Sequence, residues 1–145
     1  MKATLFVTMF LFTLAAQSQK ANQYIEKGNR NYREKEYARA DEQYGKALAK
    51  DNSNTTALFN SGNVRQKLGK YEEASKAYEA VASSAKVPAL KAKAYYNQGV
   101  SYIRQKKLHE AIEAFKKSIR IDPDDNQARE NLQKALKELK QQQQQ

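Results

Sequence analysis

The chain has 145 residues with no cysteine or tryptophan, one histidine, two prolines and five glycines, and its 26 basic against 16 acidic side chains give a formal charge of +10. The missing cysteines exclude a disulfide framework, a thiolate zinc site, a cysteine nucleophile and an acylated-cysteine anchor, while a single histidine excludes a His-rich metal centre. One domain of this length with so few turn residues points to helices over a β-sandwich, and the charge invites nucleic acid, anionic lipid or acidic protein without choosing among them.

Residues 1–18 stand apart from the remainder. Lys2 is the only charge before Lys20, and Ala3–Ala16 is an uncharged run rich in Leu, Phe, Val and Thr. As a helix this run would span about 21 Å, short of the ~30 Å hydrocarbon core of a bilayer. A basic start, a short apolar run and small residues afterwards read as a secretory signal peptide. Cleavage is expected after Ser18, with Ala16 as the alternative, and an uncleaved signal anchor is the competing reading. Loss of the leader takes one lysine, so the charge falls only to +9. An exported chain without cysteine must be held together by packing alone.

From residue 21 onwards the chain repeats itself. Gly28, Gly62 and Gly99 lie 34 and 37 residues apart. The same intervals relate Ala40, Ala74 and Ala111, then Tyr44, Tyr78 and Phe115, then Ala47, Val81 and Ser118. Such a period signals stacked supersecondary units. Apolar residues recur at three and four within each unit, which predicts two helices per unit. Turns are expected at Gly69-Lys70 and Lys106-Lys107. The glycines are expected inside first helices, opposite the small alanines of second helices, with the large rings filling the gap to the next unit. Asp51–Asn54 and Asp122–Asp125 supply unit boundaries and N-caps.

Gly62-Asn63 … Leu68-Gly69-Lys70-Tyr71-Glu72-Glu73-Ala74 … Ala77-Tyr78 and Gly99 … Leu108-His109-Glu110-Ala111-Ile112-Glu113-Ala114-Phe115 … Ile121-Asp122-Pro123 resemble tetratricopeptide repeats (TPRs). The resemblance implies an all-α fold, a right-handed superhelical array of three TPR helix pairs plus a C-terminal capping helix. The units are expected at 21–54, at 55–91 with a three-residue extension around Pro88, and at 92–125. A longer second helix or a longer loop in the second unit would hold the extension. The cap is expected at 126–140 and a disordered glutamine-rich end at 141–145. With its leader, its Asn60–Gln66 and Ala94–Val100 segments and its glutamine tail, the chain is also similar to the small exported TPR proteins of the Bacteroides aerotolerance (Bat) family. That resemblance implies a periplasmic scaffold working with other Bat-type envelope proteins.

In such arrays the first helix of each pair lines the concave side. The candidate groove residues there are Asn29, Tyr32, Arg33, Phe59, Asn60, Asn63, Lys67, Lys93, Tyr96, Asn97 and Arg104. Asparagine is a poor helix former, so Asn29, Asn60, Asn63 and Asn97 on one face call for an explanation. They could offer donors and acceptors to an extended peptide, or serve the packing between helices, or both. Arg33, Lys67, Lys93 and Arg104 beside Tyr32, Phe59 and Tyr96 suit a partner with an acidic or C-terminal segment. This partly resembles the carboxylate clamp of chaperone-binding TPR domains. Asn29, Asn60 and Lys93 match its residue types, whereas Ile25 and Asn97 stand where it has basic residues.

Catalysis has little support. Glu72-Glu73 and Asp124-Asp125 sit at expected helix starts, where they complement the helix dipole. His109 reads as a surface residue, and no phosphate loop, nucleophile elbow or spaced metal ligands occur. No cofactor is therefore expected. The lysines are spread along the chain with acidic neighbours, which argues against nucleic acid. An electrostatic binder of anionic membrane, polysaccharide or nucleic acid is the alternative to the protein-interaction scaffold.

Overall fold

The computed structural model describes the backbone of residues 2–144 and the side chains of residues 18–144. The expected signal peptide lies outside the residues whose side chains are described, apart from Ser18. Among the described residues there are seven α-helices and no strand: α1 Lys2–Arg33, α2 Tyr37–Lys50, α3 Thr55–Lys67, α4 Tyr71–Ser84, α5 Pro88–Arg104, α6 Leu108–Ile121 and α7 Asn126–Gln143. Each helix packs on the next, and α1 also touches α3, so α1/α2, α3/α4 and α5/α6 form successive antiparallel pairs followed by the single α7. The backbone of α1 is continuous through the expected cleavage position, consistent with the absence of proline or glycine before Gly28. Among the described residues, no helix is long and apolar enough to cross a membrane.

The turn inside each pair has one geometry. Lys35, Gly69 and Lys106 occupy equivalent positions with φ of 62°, 74° and 60°, a left-handed conformation. It lets the next amide reach back to the last turn of the first helix, as in Glu36 N to Asn31 O (2.9 Å), Lys70 N to Arg65 O (2.8 Å) and Lys107 N to Tyr102 O (2.9 Å). These bonds satisfy carbonyls that the helix end would otherwise leave open. Boundaries between pairs use acidic and amide caps: Asn54 accepts from Ala57 N, and Asp125 from Ala128 N, each at 3.0 Å. The boundary before α5 instead uses Pro88 at the first helical position, after Val87.

Three expectations are corrected. The extension lengthens neither the second helix nor the loop of the second unit. α2, α4 and α6 are all 14 residues long, whereas α5 has 17 against 13 in α3. Proline can start a helix, so the extra residues become an early first turn of α5. The glutamine end is not wholly disordered, because α7 runs on to Gln143; glutamine is a good helix former and propagates an existing helix. Finally, the rings do more than fill the gap to the next unit. A Cβ on Gly28, Gly62 or Gly99 would lie 2.6 Å from the ring of Tyr44, Tyr78 or Phe115 of the same pair. The rings therefore lie against bare backbone within their own unit, and Tyr44 also clusters with Ala57 and Val64 of the next, while Ala40, Ala74 and Ala111 are fully buried.

This contact yields a paired prediction. Gly62→Ala should cost about 1–3 kcal/mol despite alanine's better helix propensity, because the fully buried Tyr78 ring has no room to retreat. Gly45, on α2, has nothing within 4 Å of an added Cβ. Gly45→Ala should therefore stabilise by about 0.5–1 kcal/mol. Urea denaturation of both variants checks the opposite signs.

Candidate functional site

The candidate residues sit on α1, α3 and α5, the first helices of the three pairs, and the structure divides them into three groups. The asparagines form a ladder between units. Asn29 Oδ1 accepts from Tyr44 Oη at 2.8 Å and from Asn60 Nδ2 at 2.9 Å. One unit on, Asn63 Oδ1 accepts from Tyr78 Oη at 2.7 Å and from Asn97 Nδ2 at 3.4 Å. Packing thus accounts for these asparagines, and the acceptors of Asn29 and Asn63 are engaged internally. The equivalent pair in the third unit is Val100 with Phe115, which has lost acceptor and hydroxyl together. There the link to the next helix is made by Asn131 Nδ2 donating to Tyr96 Oη at 3.1 Å.

The aromatic residues are half-buried, with one side committed to the core. Phe59 meets the Tyr78 ring edge-on at 5.7 Å, Tyr96 meets Phe115 at 5.9 Å, and Tyr32 meets Tyr37 at 5.4 Å. Ile25, equivalent to Phe59 and Tyr96, is buried in the first core cluster. These rings form the floor of the groove.

The basic residues are exposed. Arg33, Lys67 and Arg104 fall at one position of the repeat, in the last turn of α1, α3 and α5, and Lys93 sits near the other end of α5. A cation in a last turn complements the helix dipole, which accounts for part of this column. Among the described residues none of the four is in an ion pair. Two hollows adjoin Arg33 and Arg104. One of about 180 Å³ is bounded by Asn29, Tyr32, Arg33, Asn60 and Asn63. Another of about 330 Å³, between α5 and α7, is bounded by Val100, Ile103, Arg104 and Asn131. Two glutamines make further bonds between units. Gln66 Nε2 donates to Asn97 O (3.0 Å) and Ser101 Oγ (2.8 Å), and Gln105 Nε2 to Tyr71 O (3.1 Å), tying units two and three together. Neither position repeats its residue type, so periodicity could not mark them. Among the described residues, no group of three or more His, Asp or Glu is placed to hold a metal.

Two measurements follow from the ladder. Asn63→Ala strands a buried Tyr78 hydroxyl and should cost about 1–3 kcal/mol. Asn63→Val with Tyr78→Phe, which reproduces the third unit, should recover most of that loss in a denaturation cycle. Burial pushes the Tyr44 phenol up to about 12 and raises that of Tyr78 as well. An unfolded tyrosine ionises near ~10, so the stability these phenols contribute is complete below that pH and falls as pH rises towards about 12. Phenolate absorbance should show Tyr44 and Tyr78 among the last of the nine tyrosines to ionise, together with loss of helical circular dichroism.

Residues 55–87 and 92–125, the second and third helix pairs, each match the tetratricopeptide repeat family. The first pair shares their ring-on-glycine contact. The chain is 28% identical over 120 residues to the small glutamine-rich tetratricopeptide repeat-containing protein 2 of Mycosarcoma maydis. That match takes in 83% of this chain and 33% of the relative, so the chain spans about a third of that protein's length. Among solved structures, the first TPR of Spaghetti (RPAP3) bound to the HSP90 peptide SRMEEVD has a TM-score of 0.77 at 25% identity, covering 84% of this chain and 94% of that one. The second TPR domain of human RPAP3, in complex with the HSP70 peptide SGPTIEEVD, has 0.73 at 27% identity, covering 84% and 97%. The N-terminal domain of STI-1 from C. elegans has 0.76 at 24% identity, covering 83% and 97%, and speaks for the fold alone. These relatives lend no support to the narrower Bat resemblance. Repeated segments, helix-pair geometry and structural likeness agree: residues 55–87 and 92–125 are tetratricopeptide repeats, and the chain has the fold of a TPR helix-pair array.

Proposed function

We propose that the chain is a non-enzymatic scaffold whose concave groove binds an acidic or C-terminal segment of a partner protein. The observation that carries this reading is the basic set Arg33, Lys67, Lys93 and Arg104, exposed and without internal ion pairs, above a half-buried aromatic floor. An unpaired cation beside a hollow is available to a ligand carboxylate. The peptides named with the two RPAP3 domains both end in Glu-Glu-Val-Asp, which is that chemistry. The clamp resemblance carries over at Asn29, Asn60 and Lys93 only. Ile25 is buried and Asn97 is bonded to Asn63, so neither supplies the missing charge. Arg33 and Lys67 stand in a different place, which favours an acidic segment other than a chaperone terminus.

Part of the remaining charge is paired locally. Lys46 with Glu42, Lys76 with Glu72, Lys116 with Glu113 and Lys134 with Glu130 lie within 2.6–2.8 Å of each other on exposed helix faces. Such pairing weakens the case for a purely electrostatic binder of lipid, polysaccharide or nucleic acid. The leader and the Bat resemblance support a place in the bacterial envelope, in an aerotolerance or envelope-stress complex.

Affinity capture from the native envelope fraction tests the reading. Wild type should retain a partner that Arg33→Ala/Lys67→Ala/Lys93→Ala loses, and recovery of the same partners by both would remove the groove from consideration. These substitutions are preferable to changes at Phe59 or Tyr96, whose rings also pack against the core. With the partner's acidic segment as a peptide, the triple variant should bind at least about tenfold more weakly. Binding should also persist in salt better than counterion-driven association does.

A further inference from the structure

On the face opposite the groove, the second helices α2, α4 and α6 leave clefts floored by α3 and α5. The two clefts can be compared position by position. In the first, the floor residue Arg65 places Nε 3.1 Å from Asp41 Oδ1 of α2 and 3.8 Å from Glu73 Oε2 of α4. A guanidinium thus bridges the two second helices from beneath. In the second cleft, the position equivalent to Arg65 is Tyr102, while Glu73 is matched by Glu110. The preceding helix contributes Glu79, about one turn beyond the position matching Asp41. Ser75 thus stands in place of Asp41, so one carboxylate keeps its position, the other is supplied a turn away by Glu79, and the cation between them is gone.

What remains is a hollow of about 450 Å³ lined by Glu79, Tyr95, Tyr102, Glu110, Glu113 and Lys117, among others. That size lies within the ~300–1,000 Å³ range of small-ligand sites. Among the described residues neither Glu79 nor Glu110 has an ion-pair partner, whereas Glu113 is paired with Lys116 at 2.8 Å. Lys117 Nζ already lies over the Tyr95 ring, 5.5 Å from its centroid, so the wall of the hollow accepts a cation on an aromatic face. Gln98 on the floor is 6% exposed and donates to Tyr102 Oη at 3.3 Å. Burial and the charge of Glu79 raise the Tyr102 phenol, so it stays a neutral hydrogen-bonding group.

We propose that this hollow receives an arginine side chain presented by an extended basic segment of a partner protein. The choice of arginine follows from the neighbouring cleft, where the molecule supplies its own. A planar guanidinium can face two carboxylates and stack on a tyrosine at once, which a lysine ammonium does less well. The site does not depend on the concave groove and prefers the opposite charge, so the array would hold an acidic segment on one face and a basic one on the other.

The test is a nuclear magnetic resonance titration of the full chain with acetyl-Gly-Gly-Arg-Gly-Gly-amide. Saturable shifts are expected around Tyr102 and Glu110, and the citrulline analogue, matched in shape but uncharged, should bind at least about tenfold more weakly. Glu79→Gln/Glu110→Gln, at exposed positions that leave the helices intact, should lose binding to the same extent. Tyr102→Arg, which rebuilds the internal guanidinium of the first cleft, should also lose it while remaining folded. Arg33→Ala/Lys93→Ala should bind the arginine peptide as wild type does, separating this site from the groove. No saturable shift, equal binding of the citrulline peptide, or unchanged binding by Tyr102→Arg would overturn the proposal. So would a concentration-dependent dimer that Glu79→Gln/Glu110→Gln dissolves, since the occupant would then be a second copy of the chain.

Discussion

An aromatic ring lying on bare helix backbone is the contact on which the rest of this molecule depends. Tyr44, Tyr78 and Phe115 are each fully buried against a glycine of the preceding helix, at a distance no side chain could share. Three glycines in helix interiors each sacrifice about 1 kcal/mol of propensity, offset by burial of a whole ring in each pair. Because the contact recurs at one position, every pair takes a similar crossing geometry. Successive pairs can then stack into an array whose first helices share one face and whose second helices share another.

The same rings carry the coupling between units. In the first two pairs the phenol bonds an asparagine on its own first helix, and that asparagine accepts from an asparagine of the next unit. One buried network therefore sets the spacing within a pair and the registry between pairs. The third pair has no hydroxyl to place, and its link to α7 moves to Tyr96 and Asn131. Gln66 and Gln105 add bonds across the boundary where the interval is three residues longer. The early start of α5 absorbs those residues, so the longer interval leaves the ring-on-glycine contact of the third pair unchanged.

The two faces differ in how their charge is used. Among the described residues Arg33, Lys67, Lys93 and Arg104 on the groove side of the first helices stand without ion-pair partners, while several charges on the second helices pair with a residue three or four positions away. Where the second helices part, one cleft is closed by Arg65, and in the other Glu79 and Glu110 have no ion-pair partner among the described residues. A net charge of +10 thus hides an uneven surface. Association with a charged partner depends on that local pattern more than on the total.

The amino-acid sequence by itself determined the helical class and the repeat. These follow from residue type and spacing, which helix periodicity converts directly into faces. Gly28, Gly62 and Gly99 were legible because they break propensity at a fixed interval. The asparagines were legible as an anomaly but not as a ladder, since a hydrogen bond between Asn29 and Asn60 depends on how two units are rotated against each other. Only the tertiary structure decided that the rings lie on the glycines of their own pair, that the extra residues lengthen α5, and that Phe59 and Tyr96 also pack against the core. It alone brought Glu79 and Glu110 from different helices to one hollow. Those outcomes rest on packing between elements distant in sequence, and periodicity along one helix carries no information about what the facing helix presents.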